Sequence, residues 1–93
     1  MEFEWDPKKA RTNFAKHGLR FEESIAAFHE PFAWYQPDLE HSENEVREKV
    51  IGECERGIVV VVFTQRTDHV IRIISVRFAT LTERMNYEER RGI

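Results

Sequence analysis

Arg72, Arg77, Glu83, Arg84 and Tyr87 form the group of side chains with the most obvious chemical potential in this sequence. Arg72 interrupts the apolar face of Val70, Ile74 and Val76, and Arg77 stands where that strand gives way to a helix. On the helix, Arg84 and Tyr87 are spaced i, i+3 and Glu83 and Tyr87 i, i+4, so a cation, a carboxylate and a phenol share one sector close to Arg77. Arginine grips phosphate in a fixed bidentate geometry. A carboxylate or phenol can move a proton. Together these resemble what metal-independent RNA cleavage requires: cations to neutralise a pentacoordinate phosphate, and proton transfer at the 2′- and 5′-oxygens. Tyr87 or a tryptophan also offers a stacking face for an unpaired base. Each residue has a structural reading too: Glu83 caps its helix, Arg72 pairs with an acid inside the fold, and Tyr87 belongs to the core. On a regular strand Arg72 and Arg77 point to opposite sides. They grip one phosphate only if the strand twists or bulges.

The four histidines, His17, His29, His41 and His69, make no metal motif, because no two fall at i, i+4 on one helix and no cysteine or carboxylate completes a set. No metal and no other cofactor is expected. His17 follows Lys16 and precedes Gly18 at a helix end, where the macrodipole favours a cation and backbone carbonyls can satisfy the ring. His41 beside Ser42 is no triad and reads as surface. The single cysteine, Cys54, cannot close an intramolecular disulfide, which suits a reducing compartment. The acidic N-terminus does not read as a signal peptide. The longest apolar run, Ile58 to Phe63, is far shorter than the ~20 residues a membrane helix needs. A cytoplasmic protein is expected, with no membrane partner.

The net charge of −3 hides an uneven distribution. Residues 1–20 hold five Lys or Arg against three acids, 21–55 hold two against ten, and 56–93 hold seven Arg against four acids. A fold that joins the two ends would set a basic site beside an acidic flank.

The 93 residues suit one domain spanning 1–93. Phe3 and Trp5 alternate with Glu2 and Glu4 as in a short strand. Asp6-Pro7 starts a helix that Gly18 ends, with Ala10, Phe14 and His17 on one face. Phe21, Ile25 and Phe28 mark a second helix over 21–28, and Phe32 to Tyr35 suits an edge strand or extended loop. An exposed connection over 38–45, with a helical turn, leads into strands at 46–53, 58–64 and 70–77. Thr80 to Glu83 has the spacing of a capping box, and Gly92 stops the last helix. The expected class is α+β: a small antiparallel sheet, made of a C-terminal three-stranded meander plus the N-terminal strand, packed with two N-terminal helices and one C-terminal helix.

Read in order, Phe3-x-Trp5-Asp6-Pro7, Asn13, Lys16-His17-Gly18 with Phe21, Phe28 with Pro31, His41-Ser42 with Glu45 and Arg47, Gly52, Arg72-Ile73-Ile74-Ser75-x-Arg77-x-Ala79-Thr80, Glu83-Arg84 and Tyr87 resemble the BrnT family from end to end. The resemblance implies a RelE-like fold and the toxin half of a type II toxin-antitoxin pair. It implies a metal-independent endoribonuclease that arrests translation and growth. The implied partners are RNA and a BrnA-type, ribbon-helix-helix antitoxin that supplies the only contact with DNA, in a hetero-oligomer. Carried over, Arg77 and Arg84 contact phosphate with Arg72 as a third, His17 or Lys16 transfers a proton, Glu83 acts as base or orients an arginine, and Tyr87 stacks or donates a proton. Phe78 stands where the family often has a lysine. The alternative is a BrnT-like subunit that no longer cleaves and serves in an autoregulatory complex of antitoxin and DNA.

Overall fold

The computed structural model describes residues 1–41 and 45–92. Strand β1 (Glu2–Glu4) leads into helix α1 (Pro7–His17), followed by α2 (Phe21–His29), β2 (Trp34–Pro37), β3 (Glu48–Cys54), β4 (Gly57–Gln65), β5 (Val70–Phe78) and α3 (Leu81–Arg91). The Asp6 side chain accepts from the Lys8 amide, and Pro7 occupies the first turn where its missing N–H leaves nothing unpaired. Gly18 closes α1 in the left-handed region at φ 70°, its N–H donating to the Phe14 carbonyl. Thr80 and Glu83 form the reciprocal capping box that starts α3. Of the connection over 38–45, a 3-10 turn spans Leu39–His41, while the expectations placed on the His41 side chain and on Ser42 lie outside the described residues.

The strands form one sheet in the order β1-β5-β4-β3-β2. The meander β3-β4-β5 is antiparallel, β2 joins it antiparallel as an edge, and β1 pairs parallel with β5. The sheet is therefore mixed, where an antiparallel one was expected. The parallel pairing follows from the route of the chain, because α1 and α2 carry it across one face between the two outer strands. That face holds the larger core, with Phe21, Phe28, Val50, Val59, Val61 and Phe63 at its centre. Gly52 lets α2 approach: a Cβ there would lie 2.6 Å from the Ala27 carbonyl oxygen. On the other face α3 rests on a smaller cluster of Ile51, Val60 and Tyr87, flanked by Trp34, Ile58 and Ala79.

Strand β5 carries one irregularity. Val62 pairs with Ser75 and Phe63 with Ile73, so Ile74 is an extra residue, a β-bulge. Before it, Ile71 and Ile73 face the larger core; after it, Val76 does. The apolar alternation read from sequence, with Val76 on the side of Arg72, thus shifts by one. Arg72, Ser75 and Arg77 come to the opposite face, and the two arginines no longer point apart.

Candidate active site

Helix α1 buries an asparagine and exposes a phenylalanine. Asn13 is 5% exposed and Phe14 44%, because the core-facing stripe runs Ala10-Asn13-His17 rather than Ala10-Phe14-His17. The Asn13 amide Nδ2 donates to the Leu19 carbonyl at 3.1 Å and the Val76 carbonyl at 3.0 Å, while Oδ1 accepts from the Val76 N–H at 3.0 Å. It stands in for a neighbouring strand where β1 has ended. The edge of β5 is satisfied there by one side chain instead of a ladder.

Beside this clamp a groove of about 470 Å³ opens between α1 and the bulge, lined by Lys8, Lys9, Lys16 and His17 from the helix and by Ile74 and Ser75 from β5, with Asp6 and Thr12. The charge of this groove comes from the basic N-terminal segment, while the C-terminal segment contributes the uncharged Ile74 and Ser75. Lys16 is exposed and His17 half-buried, both in the last turn of α1. The lysines supply positive potential, and the imidazole and ammonium are groups able to exchange a proton with a bound oxyanion or hydroxyl.

The arginines of β5 are held by acids. Arg72 pairs with Glu4 at 2.8 Å, its register neighbour on β1. Arg77 makes a fork with Glu83, Nη1 to Oε1 at 2.7 Å and Nη2 to Oε2 at 3.0 Å, and Nη1 also reaches the Phe78 carbonyl at 3.3 Å. Three hydrogen bonds engage three of this guanidinium's five donors. Hydrogen bonding to Arg77 holds the Glu83 carboxyl down to about 2 from its ordinary 4.5, against the opposing effect of burial. The same bond raises Arg77 above its ordinary value. A carboxyl so acidic and so fully engaged is a weak base and a strong orienter. Arg84 is exposed, and no side-chain partner meets it among the described residues.

An acid-stability experiment follows from Glu83. Its folded-state value is depressed, so its contribution is complete above about pH 5 and is lost as pH falls toward 2. Discounted for the solvent that reaches both side chains, the loss is about 1–2 kcal/mol. Urea unfolding across that range should show it in the wild type and a shallower pH dependence in Glu83→Gln.

Tyr87 is fully buried on the sheet-facing side of α3. Its hydroxyl donates to the Glu30 carboxylate, which also accepts from the Phe32 N–H at 2.8 Å and the Glu53 N–H at 3.3 Å. Burial, then the bond to Glu30, pushes the phenol well above the usual tyrosine range. The ring has no open face for a base, and of the readings given to Tyr87 the geometry matches the core one. Tyr87→Phe should cost about 2 kcal/mol in urea unfolding, as expected for a hydrogen bond to a charged acceptor. It should leave RNA cleavage unchanged.

A family model described as "Ribonuclease toxin, BrnT, of type II toxin-antitoxin system" matches residues 5–83. The chain belongs to the BrnT family. The fold is also similar to the crystal structure of the Brucella abortus ribonuclease toxin BrnT, with a TM-score of 0.69 and 32% sequence identity over 86% of this chain and 97% of that one. No curated relative matches by sequence. The BrnT match covers α1 with its groove, the bulged β5, Arg72, Arg77 and Glu83; Arg84 and Tyr87 lie past its end. As a family of ribonuclease toxins in type II systems, BrnT proteins have RNA as substrate class and an antitoxin as partner. No helix of the described residues is long and apolar enough to cross a membrane.

Of the residues singled out in the sequence, the fold sets Lys16 and His17 at the groove and brings Arg72 and Arg77 to one face of the sheet. Tyr87 it draws into the interior. Sequence reasoning gave no role to Asn13, Lys8, Lys9 or Ser75. The available signal was the spacing of Ala10, Asn13 and His17, which fits a helical stripe as well as the one through Phe14.

Proposed function

We propose that this chain is a metal-independent endoribonuclease whose RNA lies along the α1-β5 groove, cleaved by attack of a 2′-hydroxyl on the adjacent phosphate. His17 or Lys16 takes the 2′ proton, and the departing 5′-oxygen takes one from water. The phosphate is neutralised by Arg84 and by the donors Arg77 keeps outside its fork, with Arg72 as a third contact. Glu83 holds Arg77 in place. The observation that carries this reading is the basic groove: three lysines and a histidine gathered against the bulge of β5, with Arg72 and Arg77 on the other face of that strand. Cleavage of cellular RNA in the cytoplasm halts translation and growth, and a BrnA-type antitoxin silences the toxin in a hetero-oligomer and alone contacts DNA.

Incubating the purified chain with RNA in EDTA tests the chemistry. The expected products carry 2′,3′-cyclic phosphate and 5′-hydroxyl ends, and cleavage that requires an added divalent cation rejects the metal-independent route. A second reading, a non-cleaving subunit of the antitoxin-DNA complex, is favoured by the ion pairs that engage Arg72 and Arg77 within the chain. Intact RNA beside a folded protein that binds its antitoxin would establish that reading instead.

A further inference from the structure

On the flank of α1 away from the lysine groove, a second opening of about 340 Å³ is lined by Trp5, Pro7, Ala10, Arg11, Phe14, Arg20 and Glu22. Its volume falls at the low end of small-ligand sites, ~300–1,000 Å³. Three flat groups line it. The Trp5 indole is braced from behind by the buried Phe21 ring, edge-on with centroids 5.8 Å apart. The exposed Phe14 ring carries the Arg20 guanidinium 4.7 Å from its centroid. Arg11 adds a second positive charge against the single carboxylate of Glu22.

A lone exposed aromatic would need no explanation. Here two aromatic side chains and a stacked guanidinium share one opening. Nucleobases stack on aromatic rings and on arginine planes without regard to sequence, and cations beside them take the adjoining phosphates. The alternation around α1 matches a nucleic-acid strand: positions 8, 9, 12, 13, 16 and 17 line the lysine groove, and positions 7, 10, 11 and 14 line the aromatic opening. A helix with its side chains is roughly 10–12 Å across. A single strand lying over it can therefore present phosphates to one flank and a base to the other.

We infer that the opening formed by Trp5, Phe14 and Arg20 is a base-stacking subsite for an unpaired nucleotide of the RNA, with Arg11 at the adjoining phosphate. The inference rests on the ribonuclease reading for its biological substrate. Of the two stacking readings drawn from the sequence, Tyr87 or a tryptophan, it takes up the tryptophan as Trp5 and sets the buried Tyr87 aside. The braced indole is held ready, so no ordering of that ring is needed when a base arrives.

The test measures binding without cleavage. A fluorescently labelled 2′-O-methyl oligonucleotide, which has no 2′-hydroxyl to attack phosphate, is titrated against wild type, Phe14→Ala and Phe14→Tyr. An abasic oligonucleotide of the same length is titrated in parallel. Wild type should prefer the base-bearing strand by about ten-fold or more, the scale of one stacked base. Phe14→Ala should bring that ratio close to one with little change for the abasic strand, and Phe14→Tyr should restore it. A ratio near one in the wild type, or one that Phe14→Ala leaves intact, overturns the subsite. Cleavage of unmodified RNA by the same wild-type preparation separates the two claims. Cleavage without base preference rejects the subsite alone, whereas a chain that neither binds nor cleaves RNA rejects both.

Discussion

Asn13→Ala lowers the unfolding free energy by about 3–5 kcal/mol, more than any other single truncation on α1. The substitution removes the partner of three main-chain groups at once: the Leu19 carbonyl, the Val76 carbonyl and the Val76 N–H. Each buried group left unpaired costs about 1–3 kcal/mol, and water entering beside the groove recovers part of the total. Loss of van der Waals contact for an amide of this size is the smaller share. Urea unfolding monitored by circular dichroism gives the number, and Asn13→Asp provides the second comparison. The carboxylate keeps the acceptor for the Val76 amide but has no hydrogens for the two carbonyls, so it too is strongly destabilising. A loss below about 1 kcal/mol in Asn13→Ala would mean that β5 has another way to close its edge.

His17→Ala lowers RNA cleavage by about 100-fold or more, the low end of what a positioned proton-transfer group contributes. His17 lies half-buried at the end of α1, with its ring at the groove and outside the core cluster, so the unfolding midpoint should fall far less than in Asn13→Ala. Lys16→Ala serves as the companion. If the ammonium only attracts phosphate, its loss weakens RNA binding and the effect shrinks with added salt. If it transfers the proton, the loss falls on the maximal rate and salt leaves it unchanged. Full activity in both variants would move the chemistry to the arginines of β5 and α3.

The sequence announces its helices and strands through local chemistry. Asp6-Pro7 and Gly18 bracket α1, Thr80 and Glu83 open α3, and the apolar run from Ile58 to Phe63 marks a strand covered on both sides. Long-range geometry is less legible. The bulge at Ile74 sits in a run of apolar residues with no glycine to mark it, so the alternation of β5 reads as regular and places Arg72 and Arg77 on opposite faces. The parallel pairing of β1 depends on the route of two helices, which no three-residue strand encodes. The groove was visible only as Lys16 and His17, since its other wall comes from Ser75, far along the chain. Tyr87 shows the limit of helical spacing: it shares a sector with Glu83 and Arg84, yet Glu30 at the end of α2 decides that the sector turns inward.

The pairing of the first strand with the last has a consequence for synthesis. A chain emerging N-terminus first at roughly 5–20 residues per second has α1 and α2 outside the ribosome well before β5. Until Val76 is available, Asn13 has no strand edge to clamp and the lysines of α1 face no wall. Contacts so distant in sequence form late. The groove is therefore absent from the nascent chain until β5 has been made, and whatever chemistry the groove carries is absent with it.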